Sequence, residues 1–419
     1  MIGKRPLVIV GASYAGLQIA ASARENGFEE KIYLLGEEPY APYHRPPLSK
    51  GLLTGKTREE QMILKSPDFF EQQGIELLTR TTATAFDAAQ RRLSLADGSQ
   101  LDYGWLALAT GASPCRLEMP GANLDDVFHL RTLDDARAIA TAAETATRVC
   151  VIGGGYIGLE VAAALASRRK FVTVLQRAPR LLSRSMCQVM SAYVEEAHRE
   201  RGVDVRTCQR VRCFRPHLGR VAAVETEDGT QIHCDMVVLG LGVRPNSGLA
   251  AHAGLHVSDG IEVEVNGRTS APWVVAAGDV ACAPNPYAGH GARRVRLESI
   301  HAANEGAKAA AATIAGRTAT AAQVPWFWSD QFDLKFQMAG IAQPGDEYVV
   351  RGEMASDRFS VAYLRDGVFV ALHSVNRPLE HMIARKLVAA RVRPNPLVLG
   401  DPSFDLQELL RHPVAAERQ

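Results

Sequence analysis

Two stretches of this 419-residue chain share one pattern: LVIVGASYAGLQIAASAREN at residues 7–26 and VCVIGGGYIGLEVAAALASR at residues 149–168. Each consists of a short apolar run, a glycine-rich turn and a stretch typical of a helix. A second strand-like run follows each copy, at residues 31–35 and 171–175. Because the glycine pattern lies between a strand and a helix, it predicts a dinucleotide-binding site in each copy, although a plain strand–helix turn is the alternative.

The glycines of such a turn have separate physical roles. The first lacks a Cβ where the chain turns sharply, and the last lets the helix pack closely on the strand. Free N–H groups at the start of the helix can then hold a pyrophosphate. The positions are Gly11, Ser13 and Gly16 in the first copy and Gly153, Gly155 and Gly158 in the second. The serine loosens the match in the first copy.

An acid about 20 residues beyond the turn is expected to bind the adenosine ribose. Glu37 fits this role in the first copy. The matching position in the second copy is Gln176, followed by Arg177, which could also simply face solvent. A carboxylate here would repel a 2′-phosphate, so its absence removes the clearest signal for NADH over NADPH.

The duplication continues beyond the turns. Predicted hairpins around Asp97-Gly98 and Asp228-Gly229 lead to apolar runs at residues 106–112 and 237–242. We therefore expect an α/β fold with two Rossmann-like dinucleotide-binding domains, each a parallel sheet with a β-meander, and an α+β C-terminal domain. The expected boundaries are 1–112 with 246–323, 113–245, and 324–419 for the C-terminal interface domain. Two adjacent dinucleotides indicate hydride transfer from a nicotinamide to a flavin.

The C-terminal region has its own pattern. Residues 359–364 and 368–375 flank Asp366-Gly367 and predict an antiparallel hairpin. Residues 379–390 predict an amphipathic helix with Met382, Ile383, Leu387 and Val388 as its apolar positions.

Composition excludes several classes of function. With 47 Lys and Arg against 46 Asp and Glu, the net charge of +1 favours neither nucleic acid nor an anionic membrane. The apolar run at residues 7–10 is too short for a signal peptide, and Glu160 with four glycines argues against a membrane helix at residues 149–166. Seven cysteines without a dense framework favour a reducing, cytoplasmic location.

Seven short motifs, in order along the chain, resemble those of the FAD-dependent pyridine nucleotide oxidoreductases. The closer resemblance is to the ferredoxin reductases that serve bacterial cytochrome P450 and Rieske-type oxygenases. The motifs are RPPLSK (45–50), ATG (109–111), LRTL (130–133), GGGYIGLE (153–160), AAGD (276–279), RLES (296–299) and WFWSDQ (326–331). The resemblance extends to roughly residue 345 and is vaguer beyond.

The resemblance implies that the first domain binds FAD and the 113–245 domain binds NADH, with NADPH also open. It assigns to FAD Gly11, Ser13, Ala15, Gly16, Glu37, Arg45, Lys50, Ala83, Thr110, Gly111, Arg131, Asp279, Ile300 and Trp326. It assigns to the nicotinamide nucleotide Gly153, Gly155, Tyr156, Ile157, Gly158 and Glu160, beside which we place Gln176, Arg177 and Gly242.

Several of these residues have an ordinary structural alternative. Asp279 could be a helix N-cap, Lys50 a solvated surface lysine, and Trp326 or Trp328 a core aromatic residue. Glu160 could be an acid that stabilises the dipole in the first turn of its helix. Our hypothesis is instead a buried Lys50–Glu160 pair beside the flavin, with both residues catalytic.

The cysteines restrict the mechanism. Residues 40–55, where disulfide reductases of this superfamily carry their redox pair, contain no cysteine. Cys208 and Cys213, taken as one strand, would have Cα atoms about 16 Å apart, too far for a disulfide. No Cys/His cluster has zinc spacing, so no metal site is expected. Flavin is then the only redox group, and its electrons must leave singly to a one-electron carrier.

The expected carrier is a [2Fe–2S] ferredoxin. It could dock on the arginines at 293, 294 and 296, or on the basic residues at 385, 386, 391 and 393, although either cluster could be an ordinary solvated face. Alternative functions are a rubredoxin reductase, an NAD(P)H oxidase, or a redox or interaction flavoprotein similar to apoptosis-inducing factor. The chain could be a monomer or a homodimer.

Overall fold

The computed structural model describes residues 5–289, 291, 293–319 and 321–411. Up to residue 114, the elements in chain order are β1 Leu7–Val10, α1 Tyr14–Glu25, β2 Ile32–Leu35, α2 Pro67–Gln72, β3 Ile75–Leu78, β4 Ala83–Asp87, β5 Arg92–Leu95, β6 Gln100–Asp102, β7 Trp105–Leu108 and β8 Ala112–Pro114. Short 3-10 helices span Pro46–Ser49 and Glu59–Met62.

The middle of the chain forms β9 Val127–His129, α3 Leu133–Thr145, β10 Arg148–Ile152, α4 Tyr156–Ser167, β11 Phe171–Leu175, α5 Gln188–Glu200, β12 Val203–Arg206, β13 Val211–His217, β14 Arg220–Thr226, β15 Gln231–His233, β16 Met236–Leu239 and β17 Val243–Pro245.

The last part forms α6 Gly248–His252, β18 Val257–Ser258, β19 Gly260–Glu262, β20 Val274–Ala276, β21 Ala281–Pro284, β22 Arg294–Val295, α7 Ile300–Ile314, β23 Trp326–Gln331, β24 Leu334–Gly340, β25 Glu347–Glu353, β26 Arg358–Arg365, β27 Val368–Val375, α8 Pro378–Ala390, α9 Pro396–Gly400 and α10 Glu408–Arg411. Among the described residues, no helix is long and apolar enough to cross a membrane.

The chain divides into two compact units. Unit 1 contains the described residues within Met1–His44, Ile63–Ser113 and Arg244–Phe327. Unit 2 contains those within Arg45–Met62, Pro114–Val243 and Trp328–Gln419. The first glycine turn therefore lies in unit 1, and the second lies in unit 2 together with residues 45–62 and most of the C-terminal region.

Unit 1 is built on a parallel sheet in the order β20-β7-β1-β2-β3. Side chains alternate along β1, so that Leu7 and Ile9 face one hydrophobic cluster while Val8 and Val10 face another. The first cluster also contains the alanines of α7, whose small side chains let α1 and α7 pack closely. The antiparallel meander β4-β5-β6 confirms the hairpin expected around Asp97-Gly98.

Unit 2 repeats this plan with a parallel sheet in the order β12-β11-β10-β16-β9 and an antiparallel meander β13-β14-β15. Cys150 and Ile152 of β10 pack with Phe214 and Val224 of the meander in one buried cluster. The predicted duplication of sheet and meander, and with it the α/β fold class, is confirmed.

The C-terminal part of unit 2 is antiparallel. β24, β27, β26 and β25 pair in that order, with β23 at the edge of the sheet. Asp366 and Gly367 both have positive φ, 51° and 73°, which a two-residue hairpin turn requires, so the predicted hairpin is confirmed. The predicted face of α8 is wrong in part, because Met382 is 59% exposed whereas Glu380 and His381 are buried.

A buried arginine explains why α8 turns polar residues inward. Arg351 of β25 is 3% exposed and donates through Nε to Glu380 Oε1 at 2.9 Å. Its guanidinium also donates to the carbonyl oxygens of Leu399, Asp401, Pro402 and Phe404. Burial by itself raises the pKa of Glu380, but hydrogen bonds from Arg377, Ser360 and Arg351 outweigh it, and the net pKa is lowered.

We expect Arg351→Met to lower the free energy of unfolding by about 3–5 kcal/mol, because it leaves a buried carboxylate and four carbonyl groups short of a donor. Urea or thermal denaturation measures this change. Arg358→Met, on the exposed end of β26, is the matched control and should cost less than about 1 kcal/mol. Equal effects of the two substitutions would contradict the anchoring role of Arg351.

Candidate functional site

The first glycine turn has the geometry that its sequence predicts. Gly11 has φ +116°, and a Cβ on it would lie 2.1 Å from the Ala109 carbonyl oxygen. A Cβ on Gly16 would lie 1.9 Å from the Gly11 carbonyl oxygen. Ser13 caps α1 with φ −135°, an extended conformation open to any residue. Serine at the middle position therefore leaves the turn intact, because glycine is not required there.

The second turn in unit 2 matches the first. Gly153 has φ +110°, and a Cβ on it would lie 2.4 Å from the Gly240 carbonyl oxygen. A Cβ on Gly158 would lie 2.2 Å from the Gly153 carbonyl oxygen. A Cβ on Gly155 would have only one protein atom within 4 Å, the Gly240 carbonyl oxygen, so the space beside the backbone at Gly155 is open. Both turns thus expose the N-terminus of a 12-residue helix.

Around the first turn, unit 1 brings several predicted residues together. Glu37 is exposed two residues after the end of β2, and Gly36 between them approaches Ala12 so closely that a Cβ on Gly36 would lie 2.9 Å from the Ala12 Cβ. Ala83 begins β4, two residues after Thr81, whose N–H donates to the Gly36 carbonyl oxygen at 2.9 Å.

The AAGD loop also reaches the first turn. Gly278 has φ +81°, and a Cβ on it would lie 2.8 Å from the Cβ of Ala15, which is itself buried. Asp279 is the residue after Gly278, and its carbonyl oxygen accepts a hydrogen bond from Arg296. The alternative role of Asp279 as a helix N-cap is wrong, because the chain turns and continues into β21 rather than a helix.

Three further predicted residues lie within unit 1. Thr110 is clamped to Asn246: its Oγ1 donates to the Asn246 carbonyl oxygen at 2.8 Å, and Asn246 Nδ2 donates back to the Thr110 carbonyl oxygen at 2.9 Å. Sequence reasoning missed Asn246. Gly111 follows with φ +66°. Ile300 begins α7, and the ring of the next residue, His301, lies against Trp326 in a tilted arrangement with centroids 5.5 Å apart.

In unit 2, the double proline of RPPLSK starts the 3-10 helix Pro46–Ser49, since proline fixes φ for a helical first turn. Arg45 precedes this helix and donates through NH1 to the Arg131 carbonyl oxygen at 2.7 Å. Two predicted FAD contacts from different motifs therefore meet. Asp135 fixes the Arg131 backbone, because its carboxylate accepts from the Arg131 N–H at 2.9 Å.

Glu160 is the centre of a buried polar cluster in unit 2. It is 3% exposed, and Lys50 Nζ lies 2.6 Å from its Oε2. Ser49 Oγ donates to the same oxygen at 2.5 Å, and Ser329 Oγ donates to Oε1 at 2.6 Å. The predicted Lys50–Glu160 pair is therefore present, and Lys50 is not a solvated surface lysine.

The dipole interpretation of Glu160 is wrong. α4 begins at Tyr156, so Glu160 lies in its second turn, where the dipole of the helix N-terminus has little effect. What fixes the carboxylate is the set of donors from two distant motifs, RPPLSK and WFWSDQ. Sequence reasoning quoted both motifs but missed Ser49 and Ser329 as donors to Glu160.

The cluster continues away from Glu160 as a chain of oriented hydrogen bonds. Gln331 Nε2 donates to Ser329 Oγ at 3.1 Å, and His198 Nε2 lies 2.9 Å from Gln331 Oε1. Burial lowers the pKa of His198 to about 4, so the ring is neutral near pH 7 and donates through Nε2. Each donor in this series of hydrogen bonds therefore points toward the Glu160 carboxylate, and the series holds the carboxylate in one orientation.

The other predicted residues of the second turn lie around the start of α4. Tyr156 is its first residue, and burial raises the pKa of its hydroxyl to about 12, so it remains a donor. Ile157, the second residue of α4, is 47% exposed, so its apolar surface is open to a ligand. Gly242 has φ +88° with open space around its virtual Cβ.

Gln176 holds the second turn directly. Its Oε1 accepts from the Gly154 N–H at 3.1 Å, and its Nε2 donates to the Arg180 carbonyl oxygen at 3.2 Å. Arg177 is exposed.

All seven cysteines are unpaired. Cys213 is buried in β13, but Cys208 is exposed in a turn with φ +56°. Cys208 thus lies near the strand that carries Cys213 rather than on it, and no disulfide joins them. Among the described residues, no group of three or more His, Cys, Asp and Glu side chains could hold a metal ion.

Two arginines of the first basic cluster are engaged within the protein. Arg296 has a side chain only 9% exposed and pairs with Asp259 at 3.2 Å and Glu298 at 2.5 Å, so it is not part of a free basic face. Arg294 is tied to the carbonyl oxygens of Val263 and Cys282. In the second cluster, Lys386 is exposed and Arg393 donates to the Asp366 carbonyl oxygen at 2.9 Å.

Two equivalent glycine turns on a duplicated parallel-sheet plan define a dinucleotide-dependent oxidoreductase. The chain belongs to the pyridine nucleotide-disulphide oxidoreductase family, whose model matches residues 5–307, and a reductase C-terminal model matches residues 326–410.

Relatives match over almost the full chain. Putidaredoxin reductase CamA of Pseudomonas putida is 39% identical over 96% of both chains. Rhodocoxin reductase of Rhodococcus erythropolis is 40% identical over 97% of this chain and 95% of its own length. A crystal structure of a covalent putidaredoxin reductase–putidaredoxin complex is similar with a TM-score of 0.94 at 39% identity, covering 98% of this chain and 99% of the other.

Proposed function

We propose that this chain is an FAD-dependent ferredoxin reductase that takes electrons from NAD(P)H and delivers them to a [2Fe–2S] ferredoxin serving a cytochrome P450 or Rieske-type oxygenase. The observation that carries this proposal is the match of the whole chain, including its C-terminal part, to reductases named for such carriers. The cysteines support it, because residues 40–55, where disulfide reductases of this superfamily carry their redox pair, contain none. Seven cysteines without a disulfide favour a cytoplasmic location.

The residues of unit 1 fit FAD. The first turn is so tight that a Cβ on Gly11 or Gly16 would clash with a backbone carbonyl oxygen, which is the geometry of a pyrophosphate-binding turn, and Glu37 stands exposed just beyond β2, where an adenosine ribose would be bound. Asp279 is brought to the same turn by the Gly278–Ala15 contact. The chemistry that FAD would supply when bound here is acceptance of two electrons from the coenzyme and their release one at a time.

Unit 2 provides binding and orientation of the coenzyme. The second turn offers backbone N–H groups to a pyrophosphate, and Ile157 offers an apolar surface. Glu160 fixes the Lys50 ammonium through a 2.6 Å ion pair, and the serines and Gln331 fix Glu160. A cation held in this way contributes a preorganised positive charge rather than a mobile one.

Anaerobic titration of the purified protein tests this function. We expect a yellow protein that NAD(P)H bleaches, and that then reduces a [2Fe–2S] ferredoxin in rapid turnover while rubredoxin and oxygen react slowly. A colourless protein, or flavin that stays oxidised with excess NADH and excess NADPH, would overturn the proposal. If the protein reduces rubredoxin or oxygen faster than every ferredoxin tried, then rubredoxin or oxygen is its electron acceptor instead of a ferredoxin.

The two glycine turns should respond differently to the same substitution. We expect Gly11→Ala to purify with little FAD, because the methyl group would meet the Ala109 carbonyl. Gly153→Ala should keep FAD but raise the Kd of the pyridine nucleotide about tenfold or more. Absorbance at the flavin band and calorimetry measure these effects.

Gly98→Ala is the control, since Gly98 has φ +86° but no atom within 4 Å of its virtual Cβ. Loss of FAD in Gly153→Ala with full FAD in Gly11→Ala would reverse the assignment of the two turns.

A further inference from the structure

The residue that follows β11 in unit 2 is neutral, whereas an acid usually occupies this position and binds the ribose of NADH. Gln176 stands 22 residues after Gly154, and its amide is used within the protein: Oε1 accepts from Gly154 N–H and Nε2 donates to the Arg180 carbonyl oxygen. The backbone is fixed as well, because Gln176 N–H donates to Arg206 O and its carbonyl accepts from Gln209 N–H, both at 2.9 Å. The end of this strand is therefore rigid and carries no negative charge.

The loop that follows is basic. Residues 176–187 contain three arginines and no acid. Arg180 turns inward and donates to Ser191 Oγ at 3.1 Å. Arg177 and Arg184 are exposed, and within the described part of the chain neither side chain has a hydrogen bond or ion pair. On the neighbouring strand, Asp204 is paired with Arg206 at 2.8 Å.

These observations bear on the one chemical difference between the two coenzymes. NADPH carries a phosphate on the adenosine 2′-oxygen, where NADH has a hydroxyl. A glutamate at position 176 would accept from that hydroxyl and repel the phosphate, whereas Gln176 does neither strongly. A guanidinium next to it can form two charge-assisted hydrogen bonds with a phosphate, and an unpaired arginine needs no ion pair broken first.

We propose that the nucleotide site of unit 2 prefers the 2′-phosphorylated coenzyme, NADPH, with Arg177 as the contact to the phosphate and Gln176 as the residue that permits it. This inference rests on the proposed function, which itself leaves the coenzyme open. It assigns a specificity role to two side chains and no role in hydride transfer.

Steady-state kinetics of the FAD-loaded protein with ferricyanide as acceptor test the preference. We expect kcat/KM for NADPH to exceed that for NADH about tenfold or more, the size of one charge-assisted contact. Arg177→Asn should remove most of this difference by raising KM for NADPH at least several-fold more than KM for NADH. Gln176→Glu should reverse the preference.

Arg169→Asn is the matched control, because Arg169 is also exposed but follows the C-terminal end of α4, away from the turn. Calorimetry with 2′,5′-ADP against 5′-ADP gives a readout independent of turnover, and the first should bind more tightly to the native protein but not to Arg177→Asn. Equal or better use of NADH by the native protein, or equal losses with both coenzymes in Arg177→Asn, would overturn the inference. Failure of both coenzymes to bleach the flavin would instead overturn the proposed function.

Discussion

Glu160→Gln is expected to slow the reduction of bound flavin by NAD(P)H about 100-fold. Glutamine keeps the shape of the side chain but removes the charge that balances Lys50. The three groups around the carboxylate, Lys50 Nζ, Ser49 Oγ and Ser329 Oγ, are all donors, so the new amide nitrogen must face at least one of them. The ammonium and the coenzyme contacts of α4 would then lose their fixed positions.

Stopped-flow measurement of flavin bleaching gives this rate without any ferredoxin present. Glu144→Gln is the control, because Glu144 also pairs with a cation, Arg168, but is 70% exposed. A native rate in Glu160→Gln would contradict the positioning role of the cluster.

A double variant separates rate from stability. Lys50→Met with Glu160→Gln removes both charges but keeps a side-chain oxygen to which a buried serine can donate, and removing both partners of a buried pair costs much less stability than removing one. We expect this protein to melt near the native temperature and still reduce its flavin slowly. Recovery of the native rate would mean that the pair serves only folding.

The sequence could predict the nucleotide turns because their geometry is local. Gly11 and Gly153 adopt positive φ within a few residues of their strands, and the motif itself specifies that. It could also predict that Lys50 meets Glu160, since both motifs occur together in one family. It could not predict Ser329, which is 169 residues from Glu160 along the chain and reaches it only through the edge strand of the C-terminal sheet.

Sequence reasoning missed the buried face of α8 and the pairing of Arg296 for the same physical reason. A periodic pattern assumes that apolar side chains face the core, but Arg351 of β25 requires a buried acid on α8, and so Glu380 takes the place expected for Met382. The charge of Arg296 is likewise paired within the protein, with Asp259 and Glu298, and is therefore not available to a partner protein. Tertiary partners of this kind have no signature in local sequence.

Acid is expected to destabilise unit 2 steeply, by up to about 4 kcal/mol per pH unit as the pH falls from 6.5 toward 4. Three histidines of this unit, His198, His373 and His381, are each at most 4% exposed. Burial lowers their pKa values to about 4, about 3 and about 4, with the charge of Arg385 adding to the effect on His381 and that of Arg201 on His198.

Stability decreases as the pH falls because the unfolded state binds more protons than the native state. In the unfolded chain each ring is protonated below its ordinary pKa of about 6.5, whereas in the native protein it stays neutral until the pH reaches its lowered value. The unfolded state therefore binds more protons throughout this interval. The full contribution of the three rings is present above pH 6.5 and is lost as the pH falls through the native pKa values.

Urea denaturation at pH 7.5, 6.0 and 5.0 measures the dependence. His373→Asn should reduce the slope by about one third, because it removes one of three such groups; the amide can still meet the Tyr363 hydroxyl, which lies 3.0 Å from the His373 ring nitrogen. His217→Asn, an exposed position on β13, should leave the slope unchanged. If the native protein loses no stability between pH 7.5 and 5.0, the three rings are charged in the folded state. His198 could then not serve as the neutral donor that begins the series of hydrogen bonds orienting Glu160.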